Sequence, residues 1–489
     1  MGKKVLAMDF GASSGRAMLG QATDGKIELI EVHRFSNDPV LARGVLYWDF
    51  LRLFYEVKQS LIKAEKVGEI CSIGIDTWGV DFGVLNKKGQ LTGNPVHYRD
   101  SRTKGSIEKF DPVMMKSEDL YEITGTQVME INTVFQMMAW KKQNPEVKLA
   151  ETILMMPDLF HYYLCGERKA EISIASTSQL LDIEQRRWSD DILQKIGIPE
   201  SLFPPIIESG TVLGELSLDL CRELKIEPIK VIAVAGHDTQ SAMAAVPAQE
   251  KDFLFISCGT WSLMGSELEN PLINEKAFRK GFTNELGYGK KTSFLKNITG
   301  LWLIQECRRQ WIKEGFAYSF SELEALAEKE APFQCFIDPD DASFSTIGNM
   351  PEKIRQYCQK KGQRIPVTPG QIVRCIDESL AMKYRMTMEE IQDVVGKEYP
   401  KIYMVGGGIQ SRLLCQMTAD ACARMVIAGP QEASALGNAI IQLIALGEIH
   451  DLEEARVMIR SSMKIAVYEP TDSFQWMKAY RNFKEVVTC

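Results

Sequence analysis

Two stretches of the chain share one pattern of apolar and small polar residues. Residues 5–19 contain an apolar strand, a turn of small residues and a second apolar strand, and residues 253–265 repeat that order. Each stretch predicts a β-hairpin whose tip consists of glycine and hydroxyl residues. Aligning Gly11 with Gly259 superimposes the two turns.

The hairpins begin the two halves of the chain, which predicts a duplicated architecture. The polar, proline-containing stretch 246–252 fits a connection between the halves, so we place the domains at residues 1–246 and 247–489. A chain of 489 residues is long enough for two or three domains. The pattern alone is equally compatible with two unrelated hairpins that both contain glycine.

Elsewhere along the chain, apolar strands alternate with helical patterns. Residues 70–75 and 231–235 are mostly apolar runs, which are typical of buried parallel strands. Helical periodicity covers residues 51–64, 299–315 and 372–394. This alternation predicts an α/β fold.

Composition and charge narrow the class of protein. The chain is 45% hydrophobic and 25% charged, as expected of a globular protein. Its net charge is −8 and no block of lysine and arginine forms a basic face, so we expect no nucleic-acid partner. The first apolar run is too short for a signal peptide, and no apolar stretch approaches the roughly 18 residues that span a bilayer. We therefore expect a cytoplasmic protein without membrane contact.

The eleven cysteines occur singly rather than in CxxC pairs. An odd number of cysteines in a long chain without a secretory leader predicts buried, reduced thiols. The chain has five histidines and lacks an HExxH motif, so the sequence predicts no structural zinc site.

The first hairpin contains a candidate phosphate site. The chain has no Walker A motif, but the small residues from Gly11 to Arg16 let backbone N–H groups approach phosphate oxygens closely. Asp9, just before the turn, could hold Mg²⁺ directly or through water. The alternative is a solvent-exposed turn that Asp9 caps. Thr260 at the tip of the second hairpin favours phosphate binding.

Residues 233–243 join a buried strand to an alanine-rich helix, and His237, Asp238 and Thr239 lie at the junction. Ligands of open α/β sheets bind where strands end and helices begin. Asp238 could be a base that takes the proton from a hydroxyl attacking a γ-phosphoryl group. It could also be only the N-cap of the helix. Considered alone, the position of Asp238 favours the N-cap interpretation.

Two further clusters follow predicted strands. Residues 76–81 combine two acids with Trp78, which suits a polyol because carboxylates accept hydroxyl groups and the ring covers the C–H face. The alternative is a core tryptophan beside an acidic turn. Residues 405–411 include three consecutive glycines, against which a flat nucleotide could lie, or which could only cap a helix. Their spacing differs from the dinucleotide fingerprint G-x-G-x-x-G, which disfavours an oxidoreductase.

Together these segments resemble the FGGY carbohydrate kinases, members of the actin/hexokinase/Hsp70-like ATPase fold. The resemblance extends from Asp9 to about Gly437 and rests on DFGASSGR, GIDTWGVDF, YRDSRT, HDT, SCGTWSLMG, NITGLWLIQ and the glycines at 406–408. It implies a two-lobed, ribonuclease H-like α/β fold with a cleft between duplicated domains. The first domain would hold the sugar and the phosphate hairpin, and the second would hold the nucleotide.

The resemblance implies an activity as well as a fold. The expected reaction is ATP-dependent phosphorylation of L-rhamnulose at its 1-hydroxyl, which gives L-rhamnulose 1-phosphate and ADP in rhamnose breakdown. The alternatives are a kinase for another ketose, such as L-fuculose or D-xylulose, and a filament or chaperone ATPase of the same fold. The cluster at residues 76–81 disfavours the last. The expected partners are ATP and a small ketose, and the protein would be a monomer or a homodimer.

The family pattern also implies roles for individual residues. Asp238 would be the catalytic base, and Mg²⁺ would accompany ATP near Asp9, directly or through water. The ATP-binding positions would be Ala12, Ser13, Ser14, Gly15, Arg16, Thr260, Gln305 and Gly407. The substrate-binding positions would be Gly79, His237, Asp238, Thr239 and Asn297.

Overall fold

The computed structural model describes residues 2–111, 113–144 and 150–488. The described part of the chain is mixed α/β. Its strands are β1 (Lys4–Phe10), β2 (Ser14–Thr23), β3 (Lys26–Ser36), β4 (Val40–Ala42), β5 (Val45–Tyr47), β6 (Ser72–Thr77), β7 (Phe82–Leu85), β8 (Thr152–Met155), β9 (Ala170–Glu171), β10 (Leu181–Asp182), β11 (Arg187–Trp188), β12 (Ile206–Ile207), β13 (Thr211–Glu215), β14 (Lys230–Ala233), β15 (Leu254–Cys258), β16 (Trp261–Leu268), β17 (Thr283–Leu286), β18 (Thr292–Thr299), β19 (Lys401–Val405), β20 (Met425–Ala428) and β21 (Ala466–Tyr468).

The α-helices are α1 (Phe50–Glu65), α2 (Ile107–Phe110), α3 (Ser117–Thr124), α4 (Thr133–Gln143), α5 (Met156–Cys165), α6 (Ile172–Ser176), α7 (Asp190–Ile196), α8 (Leu218–Leu224), α9 (Asp238–Ala244), α10 (Glu275–Arg279), α11 (Trp302–Lys313), α12 (Phe320–Glu328), α13 (Met350–Lys360), α14 (Pro369–Val395), α15 (Arg412–Cys422), α16 (Ala433–Ala445), α17 (Leu452–Ser462) and α18 (Ser473–Thr488). In the described ranges, no helix combines the length and apolar character needed to cross a bilayer.

The chain forms two compact units. The first consists of Met1–Pro247, Glu267–Phe294 and Ala433–Met463, and the second of Ala248–Ser266, Leu295–Glu432 and Lys464–Cys489. The contiguous division predicted at residue 246 therefore differs from these units, because two later segments belong to the first unit. One of them contains α16, which packs against β1, β2, β6 and α9.

The first unit is built on a six-stranded sheet in the order β13-β14-β6-β1-β2-β3. The predicted first hairpin is formed by β1 and β2, which pair antiparallel. On its other side β1 pairs in parallel with β6, and β6 pairs in parallel with β14. The carboxyl ends of these three strands therefore lie at one edge of the sheet, where α/β proteins bind ligands.

The second unit repeats this order of strands. Its strands lie in the order β16-β15-β19-β20-β21, and β15 and β16 form the predicted second hairpin. The first strand of this hairpin again pairs in parallel with a later strand, β19, which pairs in parallel with β20. Both hairpins thus occupy the same place in their sheets, which supports duplication over two unrelated hairpins.

The predicted elements match the observed ones with shifted boundaries. The helices predicted at 51–64 and 372–394 are α1 and α14. The helix predicted over 299–315 begins only at Trp302, because β18 continues to Thr299. The strand predicted at 70–75 is β6, which extends through Asp76 and Thr77. Asp76 is therefore a strand residue rather than part of the loop that follows.

Candidate active site

Three acids lie at the carboxyl ends of the adjacent parallel strands of the first unit. Asp9 in β1 pairs in register with Asp76 in β6. The backbone N–H of Thr77 donates to the carbonyl of Gly236, 2.8 Å away, and so aligns the chain after β14 with the end of β6. That chain leads directly to Asp238, the first residue of α9. Acids from three distant segments are thereby brought to one edge.

Asp9 is a buried member of an ion pair. It lies opposite Arg16 in the hairpin register, and the Arg16 Nε and Nη2 atoms donate to its Oδ2 at 2.8 and 2.6 Å. Only 2% of the Asp9 side chain is exposed. Burial of this carboxylate requires a charged or hydrogen-bonding partner, which Arg16 supplies. Asp9 is therefore the buried partner of Arg16 and not the cap of the exposed turn.

The tip of the first hairpin is held by backbone hydrogen bonds, while its hydroxyl residues face solvent. Gly11 N–H donates to the Ser14 carbonyl at 3.0 Å, and the side-chain amide of Asn37 donates to the Gly11 carbonyl at 2.8 Å. Ser13 and Ser14 are exposed and Ala12 is partly exposed. At Gly15, a Cβ atom would lie 2.3 Å from the Phe35 ring, so any larger residue there would have to displace Phe35.

Asp76 is completely buried beside Asp9. Its Oδ2 accepts a hydrogen bond of 2.6 Å from the Asn438 amide, whereas its buried Oδ1 has no hydrogen-bond partner among the described residues. Burial and the charge of Asp9 raise the pKa of Asp76 well above its ordinary value. The expectation that this acid accepts a sugar hydroxyl does not match its position, since it faces Asp9 and Asn438.

Asp238 is more accessible than the other two acids, with 29% of its side chain exposed. The N-cap of α9 is His237, so Asp238 is the first helical residue and not the cap. Its Oδ1 accepts a hydrogen bond of 3.1 Å from the Thr239 hydroxyl and lies 3.4 Å from His237 Nε2. Burial raises the pKa of Asp238, the charge of His237 opposes this shift, and the charge of Asp9 adds to it.

A buried glutamate from β17 completes the surroundings of Asp238. Glu285 Oε2 lies 2.8 Å from His237 Nδ1 and accepts a second hydrogen bond, of 2.9 Å, from the Gln240 amide. Burial lowers the pKa of His237, but the charge and hydrogen bond of Glu285 outweigh it and raise that pKa to about 9. His237 is therefore an imidazolium at neutral pH, held between the carboxylates of Glu285 and Asp238.

The backbone at His237 is held by a side chain of α6 and by Glu171, the residue just before that helix. Glu171 Oε2 accepts from Gly236 N–H at 2.9 Å, and Ser173 Oγ accepts from His237 N–H at 3.2 Å. The nearby Gly79 is fixed by Thr177, whose hydroxyl accepts from Val80 N–H at 3.1 Å. A Cβ at Gly79 would lie 3.2 Å from the Thr177 hydroxyl.

Both carboxylate oxygens of Asp81 accept hydrogen bonds from other groups of the protein. Its Oδ2 accepts hydrogen bonds from the indole N–H groups of Trp48 and Trp78 at 2.6 and 3.0 Å. The same oxygen accepts from Tyr98 N–H at 3.2 Å, and Oδ1 accepts from the Gln136 amide at 2.8 Å. Burial raises its pKa to about 6. The core alternative for Trp78 is thus the observed one, since this ring is 4% exposed and packs on Trp48.

The nucleotide-site residues predicted in the second unit lie around the tip of the second hairpin. The Thr260 hydroxyl donates to Gln305 Oε1 at 3.3 Å. In the glycine turn after β19, Gly408 lies directly against the Cys258 side chain. Gly407 is exposed, and a Cβ there would contact no described residue within 4 Å. Asn297, also of this unit, is a partly exposed residue of β18.

Sequence reasoning missed the residues that support the site from a distance. Glu171, Glu285 and Asn438 are buried polar residues with specific partners, yet none belongs to a recognisable motif. The one available signal was an acid or amide inside an otherwise apolar stretch, because such a residue must find a partner when buried. That signal does not indicate which residue the partner is.

Comparison with known sequences gives a match over most of the chain. Residues 4–245 match the N-terminal domain, and residues 254–446 the C-terminal domain, of the FGGY family of carbohydrate kinases. A rhamnulokinase of Bacteroides thetaiotaomicron is 40% identical over 489 residues, which are 100% of both chains. A rhamnulokinase of Enterococcus faecalis is 40% identical over 96% of this chain and 95% of its own.

Solved structures show the same fold at low identity. A ligand-bound xylulose kinase from Lactobacillus acidophilus matches with a TM-score of 0.82 at 15% identity, over 99% of this chain and 98% of its own. A glycerol kinase of Plasmodium falciparum with ADP matches with a TM-score of 0.81 at 17% identity, over 100% and 98% of the two chains. The expected two-domain α/β fold is therefore confirmed.

Proposed function

This chain belongs to the FGGY family of carbohydrate kinases, and we propose that it transfers the γ-phosphoryl group of ATP to the 1-hydroxyl of L-rhamnulose. The products are L-rhamnulose 1-phosphate and ADP. The choice of sugar is supported by relatives that carry the name rhamnulokinase and align over nearly the whole chain. Because the phosphoryl donor is ATP, we place the reaction in the cytoplasm.

The observation that carries the mechanism is the position of Asp238. It is the partly exposed acid at an edge where the other two acids, Asp9 and Asp76, are buried. Its carboxylate takes the proton of the 1-hydroxyl as that oxygen attacks the γ-phosphorus. The bond between the γ-phosphorus and the bridging oxygen breaks, and ADP leaves with the electron pair. A carboxylate whose pKa is raised by burial is a stronger base than a solvated one.

His237 keeps this base ionised and oriented. The imidazolium donates one N–H to Glu285 and directs the other nitrogen towards Asp238. Its charge opposes the effect of burial on the pKa of Asp238 and so favours the ionised carboxylate. His237, Thr239, Gly79 and Asn297 remain the proposed sugar contacts.

The nucleotide contacts are proposed from exposure and backbone shape. Ser13 and Ser14 are exposed at the hairpin tip beside Ala12, where hydroxyls and amides can meet phosphate oxygens. Arg16 lies at the same tip, although its guanidinium is engaged by Asp9. Gly15 shapes the tip through its contact with Phe35. The remaining proposed contacts are Thr260, Gln305 and Gly407 in the second unit.

The residues at the strand edge fit a magnesium ion that accompanies ATP. Asp76 presents a buried carboxylate oxygen that has no hydrogen-bond partner in the described part of the chain, and Asp9 lies beside it in the strand register. Oxygen ligands of this kind are those that Mg²⁺ prefers, usually together with water. Asp9 and Asp76 would hold the ion, which when bound neutralises charge on the phosphate oxygens.

A panel of ketoses tests the proposed substrate. We expect L-rhamnulose to release ADP from ATP with the highest kcat/KM, and L-fuculose and D-xylulose to be poorer acceptors. ADP release is measured by a coupled assay, with ATP alone as the control. A higher kcat/KM for D-xylulose would contradict the sugar assignment, and ADP release that does not depend on sugar would contradict the kinase assignment.

A further inference from the structure

Three cysteines that are distant in the sequence converge in the second unit. The Sγ atoms of Cys335, Cys358 and Cys375 all lie within 4.8 Å of one another. All three side chains are buried, with exposed fractions of 5%, 0% and 2%. The cluster is separate from the residues proposed to carry the kinase reaction. We propose that these three thiolates bind one Zn²⁺ ion.

The sulfur positions suit this ion without a large rearrangement. Zinc–sulfur bonds of about 2.3 Å in a tetrahedral site place the sulfurs roughly 3.8 Å apart. Cys358 and Cys375 come from α13 and α14, and Cys335 comes from the segment that follows α12. The ion would therefore cross-link α13, α14 and the segment that follows α12.

Hydrogen bonds already fix the segment that carries Cys335. Phe336 N–H donates to the Gln363 side chain at 2.8 Å, and the Gln363 amide donates back to the Phe336 carbonyl at 2.7 Å. On the α14 side, Ile337 N–H donates to Ser379 Oγ at 3.0 Å and Phe333 N–H donates to Glu378 at 2.9 Å. A ligand set held in this way loses little entropy when the metal binds.

Charged side chains beside the cluster bear on its charge balance. Three thiolates and a dication leave one net negative charge. Arg364 and Arg374 line the cavity next to the cluster, together with Glu330 and Glu378. Since Arg374 pairs with Glu378, the Arg364 guanidinium is the group that can offset this charge.

A water molecule can take the fourth coordination position of the ion. Cys335 and Cys375 line a cavity of about 30 Å³, which is large enough for one water molecule. Glu378 also lines this cavity, but its carboxylate already accepts hydrogen bonds from Arg374 at 2.8 Å and from Phe333 N–H. We therefore assign the fourth position to water rather than to Glu378.

Metal analysis of the whole protein tests the proposal. The wild type, Cys358→Ser, Cys375→Ser and Cys307→Ser are purified with reductant and without chelator, incubated with Zn²⁺, freed of excess ion and analysed by mass spectrometry. The Cys307→Ser variant is the matched control, since it changes a buried thiol of the same unit outside the cluster. We expect one zinc ion per chain in the wild type and the control, and a content at least about ten-fold lower in the other two.

A second measurement applies even where a variant fails to fold. Cd²⁺ titrated into the reduced wild type should give thiolate-to-metal charge-transfer absorbance that saturates at one ion per chain. Zinc should also raise the melting temperature of the wild type, because the ion binds the folded state. Equal zinc contents in all four proteins, a cadmium titration without that absorbance, or a disulfide within the cluster of the reduced protein would overturn the proposal.

Discussion

Asp238 illustrates how a residue's surroundings decide its role. A carboxylate at the start of a helix is most simply explained as a cap, yet the N-cap position here belongs to His237. What distinguishes Asp238 is partial exposure combined with an imidazolium on one side and the buried acids on the other. None of these properties can be recognised from the residue type alone.

Removing this carboxylate should abolish most of the phosphoryl transfer. Asp238→Asn keeps the shape of the side chain but cannot accept the proton, so we expect kcat to fall about 10²–10⁴-fold. Binding of ATP, measured by calorimetry, should be unchanged. Asp219→Asn, at an exposed position of α8, is the matched control. Native activity of Asp238→Asn would rule out its assignment as the base.

Glu285 should control the charge of His237 and with it the pH dependence of stability. The raised pKa of His237 contributes stability that is fully present below the unfolded value of 6.5 and is lost as pH rises through about 9. The shift corresponds to a contribution of about 3 kcal/mol. We expect the free energy of unfolding of the wild type to decrease over this window.

Glu285→Gln should weaken that pH dependence, because the amide no longer favours the imidazolium, while the charges of Asp238 and Glu171 still do. Chemical denaturation at a series of pH values from below 6.5 to above 9 measures the effect. Glu275→Gln in α10, whose side chain is 74% exposed, serves as the control. An unaltered pH profile in Glu285→Gln would show that Glu285 does not hold the charge of His237.

Among the helices and strands, the contact between α9 and α16 determines where Asp238 lies. The two helices contact each other closely, because Gly437 of α16 has no side chain against the backbone of α9. From the same helix, Asn438 reaches Asp76 in β6. The positions of two acids at the site therefore depend on a helix that lies almost 200 residues after Asp238 in the sequence.

Gly437→Ala should separate these helices. Its Cβ would lie 1.7 Å from the Ser241 carbonyl, so backbone must move, and we expect a loss of about 1–3 kcal/mol in the free energy of unfolding. The activity should fall as well, since α9 carries Asp238. Gly93→Ala, where a Cβ would meet none of the described residues within 4 Å, is the control for both measurements. Native stability of Gly437→Ala would contradict this packing argument.

For the whole molecule, the first unit is assembled from three separate parts of the chain. A fragment of residues 1–247 would lack α16, which covers β1, β2 and β6, and would lose the amides that satisfy Asp76 and Ser72. We expect this fragment to show no cooperative thermal unfolding by near-ultraviolet circular dichroism, unlike the full chain. Cooperative unfolding at the native temperature would show that the contiguous half is a self-sufficient domain.

The sequence by itself determined the two hairpins, the α/β class and the family, because apolar alternation and short glycine-containing motifs are local. It also singled out Asp9, His237 and Asp238 as candidate site residues, since each adjoins such a motif. Only the tertiary structure decided that Arg16 pairs with Asp9 and that the Glu285 carboxylate lies against His237. It also decided which cysteines meet. The reason is physical: a buried charge or thiol is governed by the partner that folding brings to it, and the sequence does not show how far away along the chain that partner lies.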